Sequence, residues 1–207
     1  MSQLLAAAEA GPIFHGMTGR VRGLLYQTAL YSGYRWSELR SLEKTNFDFA
    51  ACSVSIGAEH AKNEKNATNP LPHDLAATLA EHAKLFMPSA KMFAGMWKGK
   101  GAEMIRRDMK AAGIPERDET GQSRDFHSLR HSLATLLARH GVALAIAQKI
   151  MRHSDPKPTM NVYGHLRIED KAKELAKLPF VFPTAGPENE AAKATGTDGN
   201  HWQSHWR

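Results

Sequence analysis

Between Asp125 and Leu166 the chain reads DFHSLRHSLATLLARHG, then VALAIAQKIMRHS, then PTMNVYGHL. This stretch collects a His-x-x-Arg pair, a further histidine and a tyrosine, none of which a hydrophobic core requires. His127 and Arg130 lie three apart in a helical run, so they neighbour each other and can reach one small target together. Arginine presents a planar fork of donors that matches a phosphate, and histidine donates to a phosphate oxygen or handles a proton. Tyr163 carries a hydroxyl able to attack phosphorus. Together these residue types point to phosphoryl transfer in which no metal ion or organic cofactor is expected.

The elements that must position these groups follow from periodicity. In the helix that carries His127 and Arg130, Leu129, Leu133, Leu136 and Leu137 recur at helical spacing as the expected buried stripe, and Gly141 follows as a C-terminal cap. Upstream, Thr18 is the expected N-cap of a helix through Val21, Leu24, Leu25, Thr28 and Leu30 that ends near Gly33. Gly33 permits a tight turn that delivers Arg35 to the start of the next short helix. Tyr26, Tyr31 and Tyr34 are expected to pack at the core or its rim. From Asn46 to Leu71 the period changes to two, and Phe47, Phe49, Val54 and Ile56 suggest short strands. The polar run HAKNEKNATNPLP reads as a hairpin turn and return strand carrying Lys62 and Lys65. A helix with Asp74 as N-cap puts Leu75, Leu79, Ala83 and Phe86 on one face. Another, through Met104, Ile105, Met109 and Ala112 to Gly113, shows a basic face of Arg106, Arg107 and Lys110. That face suits contact with a DNA backbone and equally suits plain solvation.

Residues 2 to 10 could form a helix, but Gly11, Pro12 and Gly16 interrupt it, so 1–17 reads as a loosely docked arm. A short charged helix is expected over roughly 168–178, ended by Pro179. Residues 179–207 read as a flexible tail. The expected class is mainly α with a small antiparallel β-sheet.

Lys and Arg exceed Asp and Glu by 27 to 21, a formal charge of +6, which favours an acidic polymer as partner, most simply nucleic acid. A single cysteine, Cys52, excludes an internal disulfide framework and fits a reducing, cytoplasmic compartment. No apolar run approaches the roughly 20 residues of a membrane span.

Taken together, YSGYRWSEL, the lysine hairpin ending in NPLP, HSLRHSLAT, MRHS and NVYGHL resemble the catalytic domain of the tyrosine recombinase or phage integrase family. The likeness runs in register from about Leu24 to Leu166. It implies a catalytic domain over 18–178 with the fold of that family and a site-specific recombinase that cleaves and rejoins double-stranded DNA through a 3′-phosphotyrosyl link. By position, the resemblance implies that Arg35 and Arg130 clamp the scissile phosphate. Lys62, with Lys65 in reserve, would protonate the leaving 5′ oxygen. His127 would assist proton transfer, His153 would bond a phosphate oxygen, and Tyr163 would attack. Glu38 and His131 would be supporting residues. The resemblance also implies a tetramer on DNA, with the isolated domain monomeric.

The chain departs from the family pattern in three places. Arg152 stands immediately before His153, where the family usually has glycine. Pro156 and Pro158 sit in a spacer about one residue longer than usual. Residues 1–17 are too short for the helical domain that normally precedes the catalytic one, as expected of an excised domain or a truncated product. Three rival readings stand beside the recombinase: a type IB topoisomerase, a DNA-binding module that has lost catalysis, and a metal hydrolase built on His127 and His131. The zinc-protease pattern behind the last needs Glu beside the first histidine, where Ser128 stands.

Overall fold

The computed structural model describes residues 1–58, 66–96, 98–119, 121–152 and 155–164, all within one compact unit, Met1–Leu166. Lys62, Lys65, Trp97 and His153, and the expected helix and tail after Leu166, lie outside the described residues.

Among the described residues eight α-helices and a small sheet follow in order: α1 (Ser2–Ala10), α2 (Gly19–Ser32), α3 (Trp36–Ser41), β1 (Phe47–Asp48), β2 (Ser53–Ile56), β3 (Ala67–Pro70), α4 (His73–His82), α5 (Gly101–Ala111), α6 (Phe126–Arg139), α7 (Leu144–Met151) and α8 (Lys157–Gly164), with a 3-10 turn at Lys44–Asn46. The strands are antiparallel in the order β1-β2-β3, with Val54 opposite Asn69 and Ile56 opposite Ala67. The mainly helical class with a small antiparallel sheet is therefore the architecture found.

Helix α2 runs through the middle. Thr18 caps its start, accepting from the Val21 N–H at 3.4 Å. Gly33 ends it in the left-handed region at φ 62°, a conformation that glycine adopts without the Cβ clash. The next residue, Tyr34, is buried and donates its hydroxyl to the Val54 carbonyl at 2.6 Å, which ties the α2–α3 turn to the sheet. Trp36 then packs edge-on against Phe126, ring centroids 4.5 Å apart. Its ring lies so close to Gly101 that a Cβ there would meet it at 2.1 Å. The segment around Arg35 is thus held on both sides.

The N-terminal residues are more firmly fixed than an arm. Leu4 and Ala8 of α1 are buried in the main core, and the fully buried Arg22 satisfies the chain that follows. Its guanidinium donates to the carbonyls of Ala8, Pro12 and Met17 and makes a paired bond to Asp108 at 2.8 and 3.1 Å. Tyr26 adds its hydroxyl to the same carboxylate at 2.7 Å. The glycines and proline that break the helical pattern make a turn whose carbonyls one arginine collects.

Two other expectations shift. Asp74 lies in the first turn of α4, and Pro72 takes the N-cap position; the acidic side chain still faces the positive helix end. In α6 the buried face is Phe126, Leu129, Arg130, Leu133, Ala134 and Ala138, while Leu136 is exposed. Burying Arg130 turns the helix so that Leu136 faces outward.

Most buried apolar residues form one core shared by α1 to α6 and the sheet. A second, small cluster of Leu30, Leu133, Ala134 and Met151 joins α2, α6 and α7, with Val162 of α8 packed against it.

Candidate active site

Arg35 is the N-cap residue of α3, its backbone extended at φ −75° and ψ 159°. Its N–H donates to Glu38 Oε2 at 2.7 Å, and its guanidinium reaches Oε1 at 3.3 Å. The Glu38 side chain is wholly buried, while that of Arg35 keeps a quarter of its surface exposed. Burial works to raise the Glu38 carboxyl, but bonds and charge from Arg152 and Arg35 outweigh it and hold the group below its ordinary range. The buried carboxylate is therefore ionised and holds both the backbone N–H and the guanidinium of Arg35.

Arg130 enters from α6 and is almost fully buried. It donates to the carbonyls of Gly33 and Met151, the ends of α2 and α7. These are orphan helix-terminal acceptors that need a donor. Burial, then the charges of Arg35 and Arg152, push its guanidinium down to about 10. Arg35 and Arg130 therefore lie near enough for each to feel the other's charge.

Asn69 of β3 performs the matching task one residue back on both helices. Its buried amide donates to Ser32 O at 2.5 Å and Ile150 O at 2.9 Å. Asn69 and Arg130 together bracket the ends of α2 and α7 and connect them to the hairpin. Its sequence neighbours give no sign of this, because the partners lie 37 and 81 positions away.

His127 is fixed by the start of α6. Asp125 Oδ1 accepts from the His127 N–H at 2.8 Å and from the Ser128 N–H at 3.3 Å, and Ser128 Oγ accepts from the Asp125 N–H at 3.0 Å. The sequence carried a signal for this cap, an Asp ahead of a helical run with Ser three later. The imidazole meets His131 edge to face, centroids 4.7 Å apart. Partial burial, then the charges of His131 and Arg130, push His127 below the ordinary histidine value, with Arg35 contributing. His127 therefore shares the field of both arginines and is neutral at pH 7. A groove of about 730 Å³ runs past it along α6, walled by Ser128, His131, Thr135, Arg124 and Arg139.

Arg152 occupies the C-cap of α7 in the left-handed region, φ 51° and ψ 41°. A non-glycine residue there costs roughly 1–2 kcal/mol. Its guanidinium bonds Glu38 Oε2 at 2.5 Å and lies over the Tyr34 ring at 4.8 Å from the centroid.

Tyr163 stands on α8, and its hydroxyl donates to the Val142 carbonyl in the α6–α7 connection at 2.6 Å. Burial raises its phenol above the ordinary tyrosine value. The structure thus brings Arg35, Arg130 and His127 together and holds the Tyr163 hydroxyl on a backbone carbonyl instead. Arg106, Arg107 and Lys110 are exposed on α5. Arg106 bonds the Ala102 carbonyl of its own helix at 3.1 Å, and Arg107 lies over the Phe14 ring at 4.3 Å. Among the described residues no group of three or more His, Cys, Asp or Glu side chains could hold a metal ion, and no helix is long and apolar enough to cross a membrane.

A helical domain that carries two arginines on the turn after α2 and inside α6, with a three-stranded sheet behind them, has the tyrosine recombinase catalytic-domain fold. Over 86% of this chain and 91% of that one, it is similar to the catalytic domain of bacteriophage HP1 integrase, with a TM-score of 0.61 at 20% identity. Over 86% and 63%, it is similar to the Tn1549 transposon integrase in complex with a circular intermediate DNA, with a TM-score of 0.64 at 17% identity. The phage integrase family model matches residues 1–169, and the chain belongs to that family. Among its relatives is the tyrosine recombinase XerC of Pseudomonas fluorescens, 34% identical over 167 residues, which span 78% of this chain and 51% of the relative. The chain spans about half the length of the curated relatives it matches first.

Proposed function

We propose that this chain is the catalytic part of a site-specific DNA recombinase, cutting and rejoining strands through a 3′-phosphotyrosyl intermediate, in the service of a phage or another mobile element. The observation that carries the reading is the pairing of Arg35 and Arg130 beside a neutral His127, each guanidinium oriented by groups that do not themselves bind substrate. Two such donors aimed at the non-bridging oxygens of a phosphate gain strength as charge builds in the pentacoordinate transition state.

In the reaction, the Tyr163 oxygen forms a bond to phosphorus and the phosphorus–O5′ bond breaks. The phenol's proton passes to a base, for which His127 is the candidate. The leaving 5′ oxygen takes a proton from Lys62, with Lys65 in reserve, and His153 donates to a phosphate oxygen. These last roles rest on the resemblance in sequence. For attack, the Tyr163 hydroxyl must first leave the Val142 carbonyl. Because the phosphodiester energy is kept in the protein–DNA link, a second strand's 5′ hydroxyl can reverse the step without ATP. Four strand cuts per exchange call for four protomers on DNA. Backbone neutralisation, with Arg106, Arg107 and Lys110 as candidate contacts, makes binding fall steeply with salt. That the Tn1549 integrase is seen in complex with a circular intermediate DNA supports DNA as the substrate.

A nicked suicide duplex tests the reading. The unaltered chain becomes covalently attached to DNA, whereas Tyr163→Phe binds and forms no adduct. An adduct on the Phe variant would remove Tyr163 from its role. Supercoil relaxation without strand exchange would move the chain to the topoisomerase class.

A further inference from the structure

The geometry points to Arg152 as a positioning residue for Arg35: by taking up the buried Glu38 carboxylate, it leaves the Arg35 guanidinium available to an anion. This rests on the reading of Arg35 as a phosphate clamp.

The argument begins with how Glu38 divides its oxygens. Oε2 receives the Arg35 backbone N–H at 2.7 Å and Arg152 at 2.5 Å. The Arg35 side chain is left with only the longer contact to Oε1, 3.3 Å. A carboxylate facing Arg35 alone would form a close paired bond with that guanidinium and compete with any phosphate for its donors. Arg152 prevents this by claiming the charge. The ionisable groups in the field of Glu38 are Arg35 on α3, Arg152 after α7 and Arg130 on α6, with the Tyr34 phenol beside them. Three guanidiniums against one carboxylate leave the cluster at +2, and losing Arg152 would leave +1.

Arg152 is not placed to touch substrate itself. Its side chain keeps 12% of its surface, against 25% for Arg35, and it is held between Glu38 and the Tyr34 ring. Nor does local backbone preference explain it. The position is left-handed, φ 51°, where glycine would sit without strain. An arginine there carries a backbone cost that a glycine would not.

The test uses the full chain with Arg152→Gly and Arg152→Lys. Glycine suits the left-handed cap, so the first variant is expected to fold. Inorganic phosphate is titrated while the Arg35 Nε–H is followed by NMR, the Glu38 carboxyl is titrated in parallel, and adduct formation on the nicked duplex is timed. In Arg152→Gly, phosphate affinity at Arg35 and the adduct rate both fall on the order of tenfold, and the Glu38 midpoint rises. Arg152→Lys recovers part of each change. Unchanged phosphate affinity and an unmoved Glu38 midpoint in the glycine variant would overturn the inference, as would equal losses in both variants accompanied by loss of folded structure. If the unaltered chain made no adduct while phosphate affinity still fell in Arg152→Gly, the recombinase reading would fail and the role of Arg152 would stand.

Discussion

The arginine pair and the tyrosine segment are built in different ways. Arg35 and Arg130 are each fixed by several partners. Glu38 holds the first, and the carbonyls of Gly33 and Met151 hold the second. Around them lies the main core, including the buried Tyr34, Leu39 and Leu129. Tyr163 belongs to a short helix whose Val162 packs on the small cluster of Leu30, Leu133, Ala134 and Met151, and its hydroxyl donates to the Val142 carbonyl. Stabilising charge in a transition state requires donors already in place, since reorganising them during reaction would forfeit the gain. A nucleophile that forms and later breaks a covalent bond has to change position. On the proposed reading, the region set in the main core suits the first task and the one packed on the smaller cluster the second.

Arg130→Met should break this contrast most severely. It removes one phosphate donor, and cleavage on the nicked duplex should fall on the order of a hundredfold or more. It also leaves two helix-end carbonyls without their donor, so the melting temperature should drop with a loss of roughly 1–3 kcal/mol. Cleavage close to that of the unaltered chain would show that the clamp is not centred on Arg130. Asn69→Leu comes next and sharpens the comparison, because Asn69 touches no substrate in this scheme. Chemical denaturation should show a loss of about 1–3 kcal/mol from unpairing Ser32 O and Ile150 O. Cleavage should slow less than in Arg130→Met. A variant as stable as the parent would mean that the bracket on α2 and α7 is carried by Arg130 alone.

The smallest effect is in pH. An imidazole held below its ordinary value of 6.5 is neutral at pH 7 and gains its proton only as pH falls below that value. Single-turnover cleavage should therefore hold its rate down to about pH 6.5 and lose it on further acidification, with the acid limb displaced downward by the neighbouring positive charges. An acid limb centred above 6.5 would argue against His127 as the proton acceptor.

Much of this was legible along the chain because it depends on local rules. Thr18, Gly33 and Gly113 punctuate helices by the requirements of caps, and the change of period near Phe47 marks the sheet. The order of Arg35, His127, Arg130 and Tyr163 carries the family resemblance in residue type and spacing. Asp74 was misplaced by two residues and Leu136 by a face, since Pro72 takes the N-cap of α4 and α6 turns to bury Arg130.

What the sequence by itself determined is the helical class and the family, because residue type and short-range periodicity are written locally. Only the tertiary structure decided that Arg22 closes the N-terminal turn through Asp108, that Asn69 and Arg130 grip the same two helix ends, and that Arg152 claims Glu38. Each of these is a buried polar group meeting a partner far away in the chain, and such a group is satisfied by whatever donor or acceptor folding carries to it, which no neighbouring residue encodes.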